Sequence, residues 1–353
     1  MRFSATRRLT AVLRGLLVLG LLAATAGIAS AQLTFDGNLL FNNRVLIPGQ
    51  TLADQFITLS APTAACPVGY SAAVLGTTTF THNIYGDPLL PNAPYRTNVV
   101  PIFRPTAPSP AFSNNPVLVP NDGFFQQVCY RGAIGALASD DWTQGWTYYD
   151  STGASRQDVH LVGMPNPRPL ATYNNVDITS ASQYFSPDSN YRVIGQLRVL
   201  QGAALTIAPG VIIFEDEATV GTIIVRRGAK IYAVGNACDP IIITTTVTPG
   251  LNRSGQCGGL YLLGRGKMNP VNTCAGDSVA AEGGTVGYFG GNDDTDGSGV
   301  LRYVRVEYAG KERSPNNELN SFTFCGVGDR TRGDYLEAFA GDDDGFEWFG
   351  GKM

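Results

Sequence analysis

The chain has 353 residues, 42 of them glycine, with 15% charged residues and a formal net charge of −4. So much glycine with so little charge argues against a helical protein and for a turn-rich, all-β one. An acidic chain without a basic patch is a poor partner for nucleic acid, and none is expected.

Residues 1–31 read as a secretion signal. Arg2, Arg7, Arg8 and Arg14 form a basic leader, residues 16–28 are apolar, and Ala29-Ser30-Ala31 fits a cleavage site before Gln32. The apolar stretch is too short and too rich in Ala and Gly to span a membrane. The mature chain is therefore expected to be exported to the periplasm, the cell surface or the medium, with no transmembrane segment. Losing the leader removes four arginines and no acid, so the formal charge moves from −4 to −8.

Residues 32–190 show no repeat and read as an irregular region that caps or covers the rest of the chain. Thr34-Phe35-Asp36 and Ile57-Thr58-Leu59 look like short strands, and residues 124–130 like another. Between them, residues 88–120 hold nine prolines, which rules out central strands and leaves an extended, loop-like segment.

From residue 191 the pattern changes. Leu197-Arg198-Val199, Leu205-Thr206-Ile207 and Val211-Ile212-Ile213 are separated by Gln201-Gly202-Ala203 and Ala208-Pro209-Gly210. The order returns as Ile223-Ile224-Val225, Ile231-Tyr232-Ala233 and Ile241-Ile242-Ile243, with Gly228-Ala229 and Asp239-Pro240 at the turns. A repeat of this length, with three short apolar strands per unit, predicts a parallel β-helix over residues 191–353. Each strand would pair with its equivalent one coil along. An antiparallel sandwich is the competing reading. Later coils are less regular: Leu260-Tyr261-Leu262-Leu263 is followed by a Gly/Asp-rich excursion over residues 264–299. Then Val304, Val306 and Tyr308 alternate with Arg305 and Glu307, a strand with an outer face carrying a surface ion pair. The chain stops just after a turn-like run, as a truncated reading of a longer protein would. Uncovered coil edges would allow end-to-end self-association.

Several motifs carry a resemblance. They are Tyr130-Arg131-Gly132-Ala133, Asp141-Trp142-Thr143-Gln144-Gly145-Trp146 and Gly290-Gly291-Asn292-Asp293-Asp294. With them go Leu301-Arg302-Tyr303-Val304-Arg305-Val306-Glu307-Tyr308-Ala309-Gly310 and Gly341-Asp342-Asp343-Asp344-Gly345-Phe346-Glu347-Trp348-Phe349-Gly350-Gly351. Together they resemble a group of exported bacterial proteins similar to the pectin-lyase-like superfamily. That resemblance implies a right-handed parallel β-helix and export, and it brings no established catalytic residue.

Candidate chemistry sits in four places. Asn292, Asp294 and Asp296 alternate oxygen side chains ahead of Gly297, half of a calcium-loop pattern. Tyr303 stands where that loop needs its bidentate Glu, so only a looser calcium site is open, with Glu282 or Glu307 supplied by the fold. Asp342, Asp343 and Glu347 form an acidic cluster that could serve as general acid and base on a glycosidic bond, or simply close a turn. The run resembles part of the polygalacturonase signature, but no Gly-His-Gly and no Arg-x-Lys downstream of it complete the pattern. Trp142 and Trp146, with Tyr148 and Tyr149, could stack a sugar or pack a loop against the core. Finally, Cys66, Cys129, Cys238, Cys257, Cys274 and Cys325 read as disulfide formers in an exported chain, with their connectivity open. Cys66–Cys129 would staple the N-terminal region and Cys257–Cys274 would close the loop at residues 264–273. The expectation is a non-catalytic surface or extracellular module, with polysaccharide as its partner and calcium as its one candidate cofactor. A polysaccharide lyase or glycoside hydrolase using the late acids is the alternative.

Overall fold

The computed structural model describes residues 34–36, 39–40, 79–81, 84–85, 87–91, 102–112, 128–149 and 168–353, apart from 249, 269–277 and 316. The chain divides into two compact units, Met1–Trp142 and Thr143–Met353. In the first unit, β1 (Thr34–Asp36) pairs in parallel with β3 (Thr79–Thr81), and β2 (Leu39–Leu40) with β4 (Ile84–Tyr85). Two short 3-10 turns, Pro110–Phe112 and Ala138–Asp140, complete what is described there. The expected strand at residues 57–59 and most of that at 124–130 lie outside the described residues.

The second unit is a right-handed parallel β-helix. Its strands are β5 (Leu170–Ile178), β6 (Gln183–Phe185), β7 (Asn190–Val199), β8 (Ala204–Ile207), β9 (Ile212–Glu215), β10 (Thr222–Val225), β11 (Lys230–Val234) and β12 (Ile241–Thr245). They continue through β13 (Leu260–Leu263), the hairpin β14 (Val279–Ala280) with β15 (Tyr288–Phe289), and β16 (Gly299–Glu307). The hairpin β17 (Glu312–Ser314) with β18 (Asn317–Glu318) comes next, then β19 (Phe322–Cys325), β20 (Arg332–Phe339) and β21 (Phe346–Phe349). Thirteen strands join in one parallel sheet that wraps around three faces. Face A stacks the second half of β5, the second half of β7, then β10, β13, β19 and β21. Face B stacks β6, β8, β11 and the first halves of β16 and β20. Face C stacks the first halves of β5 and β7, then β9, β12 and the second halves of β16 and β20.

The repeat spacing fixes the register. Leu197 pairs with Ile223 and Leu205 with Ile231, while Ile242 donates its N–H to the Val211 carbonyl at 3.0 Å. Alternation then points one residue in two inward. Leu197, Ile223, Leu260 and Phe322 form one fully buried ladder, and Ile213, Ile243 and Val306 another. Cutting Ile223 to alanine in such a core costs about 2–5 kcal/mol. The corner after face A needs a residue that turns sharply without a side chain. Gly202 and Gly228 supply it at φ +83° and +75°, and the buried Ala203 and Ala229 come directly after them. Between faces B and C, by contrast, β16 and β20 bend at Tyr303 and Tyr335, both left-handed at φ +48° and +53°. Their rings stack at 4.4 Å, which offsets part of the strain a non-glycine residue carries there.

The first coil comes earlier than the repeat suggested, because β5 and β6 precede residue 191. Leu170–Ile178 is too polar to stand out as a strand, and it joins the sheet by pairing with β7.

Candidate functional site

Face A carries the site. Its outward row in the later coils runs Ile224, Tyr261, Thr323 and Glu347, in register from β10 to β21. The excursion after β13 folds back over this face, so Ile224, Tyr261, Leu263, Ala281, Val286, Phe289, Leu319 and Cys325 form a second apolar core outside the coil. Where that cover ends, four carboxyl groups converge. Burial first, and then the charges of Glu282, Asp344 and Asp343, push Glu347 up to about 7. Glu282 is raised by its own burial and by Glu318, Asp343 and Asp344. Asn320 holds the group to the preceding coil: its Nδ2 donates to Glu347 Oε2, and its Oδ1 accepts the Asp344 N–H at 3.0 Å. Beneath lie the buried hydroxyls of Tyr261, Ser321 and Thr323, with Tyr261 and Thr323 in register on neighbouring coils and close enough to act on each other. Burial pushes the Tyr261 phenol well up, and the neighbouring Cys325 and Glu282 act on it too. The arrangement can accept hydrogen bonds from a hydroxyl-rich ligand, and Glu347 can exchange a proton near neutrality.

Of the acids read from sequence, Asp343 and Glu347 meet here. Asp342 does not act on Glu347: its carboxylate packs against the Gly255 turn and its N–H donates to the Ala309 carbonyl at 3.0 Å. Sequence reading missed Asn320, Tyr261, Ser321 and Thr323. The repeat register held the signal, since a Tyr and a Thr recur one coil apart at an outward position flanked by apolar residues.

The calcium-loop residues lie on another part of the excursion and act as latches. Asp294 Oδ1 accepts the Lys267 N–H at 3.0 Å and its Oδ2 faces Lys267 Nζ at 3.3 Å, while Asp296 Oδ2 accepts the Arg265 N–H at 3.0 Å. Oxygens already receiving N–H groups suit loop closure better than a cation, and no metal set of three or more His, Cys, Asp or Glu occurs among the described residues. Glu282 turns to the face A group, and Glu307 lies elsewhere, so neither joins Asn292, Asp294 and Asp296.

The strand read as carrying a surface ion pair is corrected by the structure. Arg305 and Glu307 are 1% and 2% exposed and 2.5 Å apart, with Glu337 at 4.0 Å. The cause is a strap from the same unit, residues 143–149, that covers the outer side of face C. Arg305 donates to the Trp146 carbonyl at 3.2 Å, the Tyr148 N–H donates to Glu337 Oε1 at 2.9 Å, and the Tyr148 ring stacks on Phe339. Trp146 itself is 1% exposed, edge-on to Tyr303 at 5.3 Å, and has no free face for a sugar. Trp142 belongs to the first unit, where it is 44% exposed and its Nε1 donates to the Ala133 carbonyl at 3.2 Å.

Cys129, Cys238, Cys257 and Cys325 are free thiols. The proposed partners Cys66 and Cys274 lie outside the described residues. Cys257 sits inside the coil, where its thiol donates to the Glu307 carbonyl at 3.4 Å and adjoins Glu215. Glu215 also points inward. Burial raises it to about 8, although its Oε2 accepts the Gly259 N–H at 2.8 Å.

A family described as the pectate-lyase-like beta helix domain matches residues 177–353. The chain belongs to this family. No curated protein and no solved structure matches it. For the pectate-lyase-like chain, the match spans the β-helix from the end of β5 onward and every acidic residue of the face A group.

Proposed function

We propose that this pectate-lyase-like β-helix is an exported module that binds polysaccharide at the cell surface or beyond without cleaving it. One observation carries the reading: the acidic residues that could do chemistry are already engaged by hydrogen bonds to the chain's own groups. Asn320 ties Asp344 and Glu347 to the coil before them, and Asp294 and Asp296 tie down Lys267 and Arg265. Export is inferred from the leader at residues 1–31, and no helix among the described residues is long and apolar enough to cross a membrane. The second reading, a lyase or hydrolase, is favoured by Glu347, whose carboxyl at about 7 could carry a proton to a leaving oxygen.

The deciding experiment passes the mature protein over acidic and neutral polysaccharides, with calcium and with chelator, and reads both retention and new reducing ends. Retention without new ends is the expected result. Cleavage lost in Glu347→Gln, without a lower melting temperature, would overturn the non-catalytic reading. Retention lost in chelator would bring calcium back to the Asp-rich loops.

A further inference from the structure

Face B differs from the other two because it presents an open row of large side chains. The outward residues in register are Tyr184 on β6, Thr206 on β8, Tyr232 on β11, Val300 on β16 and Arg332 on β20. Tyr184 and Tyr232 are 56% and 38% exposed. They stand two rungs apart, roughly 9.6 Å at the usual strand spacing, about the length of two linked sugar units. The whole row spans four rungs, about 19 Å.

Charge tracks the same line. Lys230 flanks Tyr232 on one side, and Arg302 stands in the neighbouring row, paired in register with Val234 and Asp334. Among the described residues, face B thus exposes Lys230, Arg302 and Arg332 against a single carboxylate, Asp334, on a chain that is acidic as a whole. Arg302 is held in place over the Tyr303 and Tyr335 rings at 5.6 and 5.4 Å. A flat strip with two aromatic rings about a disaccharide apart and cations beside them complements a linear polymer with apolar ring faces and carboxylates.

We propose that the outer side of face B is the surface that binds an acidic polysaccharide. The polymer lies along the helix axis, with sugar rings on Tyr184 and Tyr232 and carboxylates against Arg302 and Arg332. The proposal rests on the binding reading above and assigns it a surface distinct from the acidic group on face A, which would repel the same polymer.

The test uses two cellulose derivatives with a common backbone, carboxymethyl cellulose and hydroxyethyl cellulose, in affinity electrophoresis of the mature protein. Wild type is expected to be retarded by the carboxymethyl polymer at least about tenfold more strongly than by the neutral one. Tyr184→Ala with Tyr232→Ala should weaken that binding by at least about tenfold. Arg332→Glu should weaken it and flatten its salt dependence. Both sets of residues are exposed, and unchanged melting curves would show that the variants fold. Carboxymethyl binding that survives the double tyrosine change but falls in Glu347→Gln would overturn the face B assignment and leave glycan binding standing on face A. Equal retardation by both polymers would overturn the acidic preference. Retardation by neither would overturn the face B proposal and the binding reading together.

Discussion

Two outward-facing acidic groups of the same β-helix reach similar protonation behaviour by different routes. On face C, Glu337 is raised to about 7 by burial under the strap, although Arg305 and the Tyr148 N–H pull it down and Glu307 adds to the rise. On face A, Glu347 is raised to about 7 by burial first and then by the like charges of Glu282, Asp344 and Asp343, with no cation among the groups acting on it. The first is a covered ion cluster whose charges hold one another. The second is a like-charge group left at the edge of its cover. A raised carboxyl therefore marks a functional candidate only where its neighbours do not already account for it as scaffold.

The comparison breaks first at Arg305. Arg305→Ala would leave Glu307 and Glu337 facing each other beneath Trp146 with no counter-charge. Breaking a buried pair from one side costs about 3–5 kcal/mol, and urea unfolding should show a loss of that size. A loss below about 1 kcal/mol would mean that the strap opens to water and that the cluster is not sealed. Trp146→Ala comes next, at about 3 kcal/mol, because it removes a buried ring edge-on to Tyr303 and Tyr335 and uncovers Arg305. Its readout is the same unfolding curve, together with new protease sensitivity in residues 143–149.

How much of this could be read from the residues depends on what sets each feature. The coil register was legible because Leu197, Leu205 and Val211 recur as Ile223, Ile231 and Ile241, and a buried ladder tolerates only such replacements. Asp343 and Glu347 were legible as neighbours because one turn separates them. The fate of Arg305 and Glu307 was not. Alternation correctly places them outward, but a strap that begins 162 residues earlier, at Thr143, decides whether outward means exposed. Asn320, Tyr261 and Thr323 were hidden for a related reason. They matter through the residue one coil away, a relation that long excursions conceal.

Inside the coil, Glu215 gives a third case and a smaller expected effect. Its carboxyl is raised to about 8, from the 4.5 of a free glutamate, so the folded chain holds that proton more tightly than the unfolded one. Its stabilising share is complete below about pH 4.5 and is lost as the pH rises towards 8. Glu337 and Glu347 act in the same direction between about 4.5 and 7. Asp216, lowered by Arg192 and Thr219 against its own burial, acts in the opposite direction and only in more acidic solution. The melting temperature should therefore fall between pH 5 and pH 8, and Glu215→Gln should flatten that fall. An unchanged slope would mean that Glu215 titrates as an ordinary carboxylate.

The smallest effect separates the two acidic groups most cleanly. Glu347→Gln keeps an oxygen to accept from Asn320 Nδ2 and removes one charge from a group of like charges. At pH 8, where the wild-type carboxyl is ionised, the variant should melt slightly higher; at pH 5, where the wild-type group holds its proton, the two should coincide. Glu337→Gln should not show that pattern, because at pH 8 it also takes a counter-charge from Arg305. Its gain from relieved burial is offset by that loss. If Glu347→Gln lowers the melting temperature at pH 8, its charge is paired after all, and the face A acids belong with those of face C as scaffold.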